Sequence, residues 1–254
     1  MAHTPRESNT YDYLDRKTRD KALDSLRTFL SSHRQFSSLD LLKLWKGLFF
    51  CMWHSDRPRV QQQLALDLAS LVDILPSDTV IPFQRAFWQT MAREWKGIDV
   101  LRMNKYLFLV RQYLNAAFRT LSHRNWKNDK TIDQTLQILE EIPLNPKDVK
   151  LPDGMRYHVI DIYVDELDKV DEARKGEMPL ERMLGPLRKL GEQSPNKKVR
   201  ERVKEALEDE RVQDWQQARG EEDGFVGAAE AREQEDAKMA DGDEEDDEWG
   251  GIED

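Results

Sequence analysis

From Ala22 to Trp215 the apolar residues recur at steps of three and four, in runs separated by prolines and by Gly97. That is the period of a helix with one buried face, and no run keeps the strict alternation of a strand. Few glycines, 12 among 254 residues, and a charged fraction of 35% fit the same reading. The chain is long enough to bury a sizeable core. The expected fold class is all-α.

Local signals place the helices. Ala22, Leu23, Leu26, Phe29 and Leu30 share a face between Thr18 and Ser31. Ser38 is an expected N-cap for a helix through LWKGLFFCMWH, and Pro58 suits the first position of the next, which Pro76 ends. Pro82 is expected to open a helix through Phe83, Phe87, Met91 and Trp95, and Asp99 to cap another reaching His123. Further helices are expected over 131–142, 156–170, 179–190 and 196–215. They fall into pairs beginning near residues 39, 82, 130 and 179, close to the period of roughly 40–47 residues of HEAT or armadillo units. A helical-repeat solenoid over residues 1–215 is therefore expected, with a non-repetitive bundle as the alternative. Only LWKGL at Leu44 and EWKGI at Glu94 echo one another.

Charge is unevenly placed. Residues 216–254 hold 16 acidic and 3 basic side chains, whereas residues 1–127 are net +8. Such a tail cannot bury enough apolar surface to order itself, so it is expected to be disordered, with Trp249 as an apolar anchor for a partner. The basic front suits an anionic partner. No run of about 18 apolar residues suggests a membrane span. A single cysteine excludes an intramolecular disulfide framework.

Chemistry-bearing patterns are sparse. Cys51 and His54 could face one metal ion, but no second cysteine or paired histidine completes a tetrahedral set. The stripes Leu41, Leu44, Leu48, Cys51, Met52 and Trp45, Phe49, Trp53 instead describe a helix buried between neighbours. Gly47 is expected to permit close helix approach, and Trp53 and His54 to be partly exposed for a partner. Asp161, Asp165 and Asp168 read as a solvated helix face rather than a metal site, and His158 lacks a spaced partner. There is no phosphate-binding glycine loop, GxSxG or HExxH, so no enzyme, metal or cofactor is expected. One basic stripe could contact nucleic acid: Arg102, Lys105, Arg111, Arg119, Arg124 and Lys127, with Trp126 interleaved for base stacking.

Three blocks together carry a family resemblance. LDLLKLWKGLFFCMWHSDRPRVQQQLA, REWKGIDVLRMNKYLFLVRQYL and LPDGMRYHVIDIYVDELDKV resemble the successive signature blocks of the eukaryotic ribosomal RNA processing protein 1 family. They stand in the expected order and cover most of residues 10–210. The resemblance implies a nucleolar, non-enzymatic factor in pre-rRNA processing and in maturation of the large (60S) ribosomal subunit precursor. It implies a helical scaffold, monomeric within a large particle, among other assembly factors, ribosomal proteins and pre-rRNA, and away from membranes. It also implies that the short acidic tail replaces the long basic extension of animal members. The alternative is a helical-repeat adaptor with protein partners alone. The resemblance assigns no individual contacts.

Overall fold

The computed structural model describes residues 18, 20–32, 35–123, 125–173 and 177–219. Trp249 and Arg124 lie outside them, as does the tail beyond Arg219. Among the described residues every regular element is helical. After α1 (20–31) come α2 (Ser38–Trp53), α3 (Pro58–Ser70), α4 (Ser77–Glu94), α5 (Val100–Ser122), α6 (Asp129–Glu141), α7 (Asp153–Val170), α8 (Leu180–Gln193), α9 (Lys197–Leu207) and α10 (Glu210–Arg219). Short 3-10 turns, Leu71–Ile74 and Trp95–Gly97, come after α3 and α4.

Side-chain caps set several starts. Ser37, one residue before the expected cap, accepts from the Asp40 N–H at 3.2 Å. Asp99 caps α5 through the Arg102 N–H at 3.1 Å, and Asn128 caps α6 through the Thr131 N–H at 3.1 Å. Pro58 occupies the first turn of α3 as expected. Two expectations fail. Pro82 does not open α4 but lies inside it, because Pro76 already directs the chain into the helix at Ser77. The stretch 196–215 is two helices, not one: α9 ends before Asp209, whose carboxylate accepts from the Arg211 N–H at 2.9 Å and starts α10.

Helices two apart in sequence pack side by side. One row is α2, α4, α6 and α8; the other is α3, α5, α7 and α9, with α10 against α7. The core lies between the rows. Trp45 sits at its first layer, with the rings of Phe83, Phe87 and Tyr113 at 5.2, 4.9 and 4.9 Å. The WKG echo has no structural counterpart, since Trp45 is mid-helix and Trp95 opens a 3-10 turn.

Buried polar groups fasten one helix to the next. Trp45 Nε1 donates to Phe83 O at 3.1 Å, Tyr106 Oη to Phe49 O at 2.9 Å and Tyr163 Oη to Met183 O at 2.6 Å. Burial pushes the phenols of Tyr106, Tyr113 and Tyr163 well above their ordinary range. His158 Nε2 lies 2.9 Å from Leu107 O, which fits the neutral ring donating from α7 to α5. Burial holds its pKa below the usual histidine value.

Two core assignments need correction. Cys51 is exposed, because it falls on the outer side of α2 with Lys46, Gly47 and Phe50. Gly47 serves no close approach, since a Cβ there would meet nothing within 4 Å. The glycine that does is Gly191 in α8, where a Cβ would lie 3.0 Å from a methyl of Val203 in α9.

Candidate nucleic-acid interface

The basic residues of α5 do not share one surface. Arg102 and Lys105 meet the end of α2. The Arg102 guanidinium lies 4.6 Å from the Trp53 ring centre and pairs with Asp99. The buried Lys105 ammonium donates to Trp53 O and Ser55 O, both at 2.7 Å, and so satisfies carbonyls left over at a helix end. Burial pushes its pKa down. An ammonium held this way is not available to a phosphate.

Arg111 and Arg119 point to opposite neighbours. Arg111 pairs with Asp165 and approaches Glu166 at 2.6 Å, both on α7. Arg119 takes Asp73 with two hydrogen bonds of 2.9 and 3.1 Å, beside the turn after α3. A step of four keeps residues neighbourly on an isolated helix. Here α5 lies between α3 and α7, and the drift over eight residues turns the two guanidinia toward different flanks.

Lys127 is exposed, without an ion-pair partner among the described residues. Its neighbour Trp126 is buried, contrary to the stacking role. Asn125 and Trp126 both adopt positive φ, 49° and 56°. That left-handed turn folds the chain back, and the Trp126 N–H reaches Leu121 O at 3.2 Å.

The acidic row of α7 keeps part of its solvent exposure but is spent on ion pairs. Asp161 holds Arg202 of α9 at 2.6 and 2.7 Å. Asp165 holds Arg111 and, at 3.0 Å, Arg211 of α10. Glu166, 1% exposed, lies between Arg111 and Lys169. The network joins α5, α7, α9 and α10, and no group of acids, histidines and cysteines suited to a metal ion occurs among the described residues.

Trp53 is half-buried beneath Arg102, and His54 is exposed as the C-cap of α2. Close to them stand residues that periodicity did not single out. Val100 and Leu101, in the first turn of α5, are 89% and 93% exposed. The available signal was their place directly after the capping Asp99, where a first turn can project beyond the ends of neighbouring helices.

Fold and site together define a class: an all-helical protein of two stacked rows, with the charged side chains of α5 and α7 largely spent on joining helices. Residues 13–252 match the family described as Nucleolar protein, Nop52, and the chain belongs to that family, so its compartment is the nucleolus. Among its relatives, ribosomal RNA processing protein 1 homolog B of Homo sapiens is 44% identical over 158 residues, covering 60% of this chain and 21% of that protein. Homolog A of Mus musculus is 40% identical over 162 residues, covering 61% of this chain and 32% of that protein. The homolog of Dictyostelium discoideum is 28% identical over 213 residues, covering 75% of this chain and 43% of that protein. The chain thus spans less than half the length of these relatives, and the family is the one its three sequence blocks resemble.

Proposed function

We propose that this protein acts in ribosomal RNA processing, as a non-enzymatic helical scaffold in maturation of the large (60S) subunit precursor. The relatives named as ribosomal RNA processing proteins carry the first part of this reading. The scaffold part is supported by the use of its ion pairs: Arg111, Arg119, Asp161 and Asp165 bind other helices instead of converging on a reaction centre. The protein works as a monomer among other assembly factors, ribosomal proteins and pre-rRNA, on a HEAT-like frame. RNA contact is assigned to Lys127 and Arg124 in the segment after α5, because Arg102, Arg111 and Arg119 are already paired with Asp99, Asp165 and Asp73. Lys105 is withdrawn from that set because it is buried.

Sedimentation of the tagged full chain tests the scaffold. Co-migration with large-subunit precursors, and accumulation of unprocessed precursor rRNA on depletion, are expected. Migration apart from those precursors would overturn the assignment. An adaptor with protein partners alone is favoured by the same ion pairs, because they occupy most of the basic stripe. It is distinguished by particle association that survives Arg124→Glu with Lys127→Glu while no RNA crosslinks form to the segment after α5.

A further inference from the structure

The turns between α2 and α3, α4 and α5, α6 and α7, and α8 and α9 lie along one edge of the two rows. Direct contacts tie them together. Lys105 of α5 binds carbonyls of the first turn at Trp53 and Ser55. A Cβ on Gly154, in the first turn of α7, would lie 3.6 Å from Trp95 Nε1. Asn196 of the last turn donates to Asp153 at 3.2 Å and to Tyr157 Oη at 3.4 Å.

This edge carries the three most exposed large aliphatics described: Val100 at 89%, Leu101 at 93% and Val149 at 91%. It also carries Arg59, Lys96, Lys147, Lys150 and Lys198, all exposed and without an ion-pair partner among the described residues. Some acids of the edge are already engaged. Asp99 binds Arg102 and Asp153 binds Arg156, whereas the exposed Asp148 carboxylate accepts only the Lys150 N–H at 2.8 Å and keeps its charge unpaired among the described residues. Asp56 and Glu192 are exposed as well.

The α6–α7 turn is fixed before any partner arrives. The buried Arg156 donates to Asn145 O at 2.8 Å and to Asp148 O at 3.3 Å. Asn145 Oδ1 accepts from the N–H groups of Lys147 and Asp148 at 2.9 and 3.2 Å. A turn so braced holds Val149 outward between two lysines, and little ordering remains to be done on binding.

We propose that this edge docks an acidic polypeptide segment of a partner protein, one carrying aliphatic or aromatic side chains among its carboxylates. The unpartnered cations supply charge complementarity to such a segment. The aliphatics decide between protein and RNA. Their burial is favourable only against apolar surface, whereas RNA is recognised by cations with stacking planes. Of the aromatic rings at the edge, Trp53 and the partly buried Tyr157 lie under Arg102 and Arg202, and Trp95 is buried. The inference rests on the scaffold reading only in expecting a macromolecular partner.

The test places p-benzoylphenylalanine at Leu101 or at Val149 of the full chain, with Lys130 on the opposite edge as the control position. Intact cells are irradiated, the tagged chain is recovered under denaturing conditions, and adducts are sequenced. Adducts from both positions to partner segments of net negative charge containing apolar residues are expected, with none of these from Lys130. Lys147→Glu with Lys150→Glu should lower the Val149 adduct yield at least tenfold. RNA adducts, adducts to the chain's own residues 220–254, adducts to neutral or basic segments, or no adducts would each overturn the proposal. Because irradiation precedes any fractionation, this result is read separately from co-sedimentation with ribosomal precursors.

Discussion

Trp45 concentrates the stabilisation of the first core layer. Its side chain is fully enclosed, meets three aromatic rings and satisfies its indole N–H on Phe83 O. Trp45→Ala removes that packing and leaves a cavity that rigid neighbours fill poorly, so a loss of about 3–5 kcal/mol is expected. Denaturant unfolding measures it, and a midpoint unchanged from wild type would refute the enclosure. Two positions along α2, Gly47 is exposed and its Cβ direction is open. Gly47→Ala then removes only the conformational entropy of glycine in a helix and should stabilise by about 0.5–1 kcal/mol. A fall in melting temperature would mean that something unseen fills that space. Trp45 was legible from periodicity because its stripe continues through Phe49 to Trp53. Gly47 was misread because a glycine within a helix fits close approach and plain exposure equally well, and only the neighbouring helix separates them.

At the scale of elements, the helix count came from period and punctuation, since each break before residue 197 has a proline, a glycine or a capping side chain near it. The break at Asp209 escaped because ALEDERVQDW contains no glycine or proline, and a capping aspartate looks like any other acid on a charged helix. The candidate interface was less legible. Sequence spacing places a guanidinium on a helix but says nothing of which neighbour it meets, so paired arginines passed for a free stripe. Lys105 is the clearest case, and its substitution tests the role found for it. Lys105→Met removes the ammonium from Trp53 O and Ser55 O and leaves two carbonyls at the end of α2 without that donor. Ser55 O keeps the Gln61 amide at 2.7 Å, so the expected loss of about 1–3 kcal/mol comes from the unsatisfied Trp53 carbonyl. Hydrogen exchange should report weaker protection at the end of α2 and the start of α5 before it does elsewhere. Unchanged stability together with reduced RNA crosslinking would restore Lys105 as a nucleic-acid contact.

At the scale of the molecule, two rows of helices have ends, and each end must cover its last apolar face. α10 does this for α7. Val212 and Trp215 are buried, and Arg211 binds Asp165 of α7 at 3.0 Å and its own Asp209 at 2.7 Å. Its guanidinium also lies 3.9 Å from Asp168. The helix continues to Arg219, so a domain boundary at 215 falls inside it. Two truncations separate the contribution of this helix from that of the acidic segment after it. Ending the chain at Glu208 exposes apolar surface of α7 and strips Asp165 of one of its two guanidinium partners. A Trp or Val lost from a core costs several kcal/mol on its own, so this cut should lower the melting temperature by several degrees or more. Ending it at Arg219 removes a segment of 16 acidic and only two basic side chains, too poor in apolar residues to contribute a core of its own. That cut should leave the melting temperature near wild type. Equal melting of both truncations would mean that α10 covers nothing that matters to stability. A large loss from the second cut would mean that residues 220–254 rest on the helical rows, with the basic edge of turns their electrostatic match.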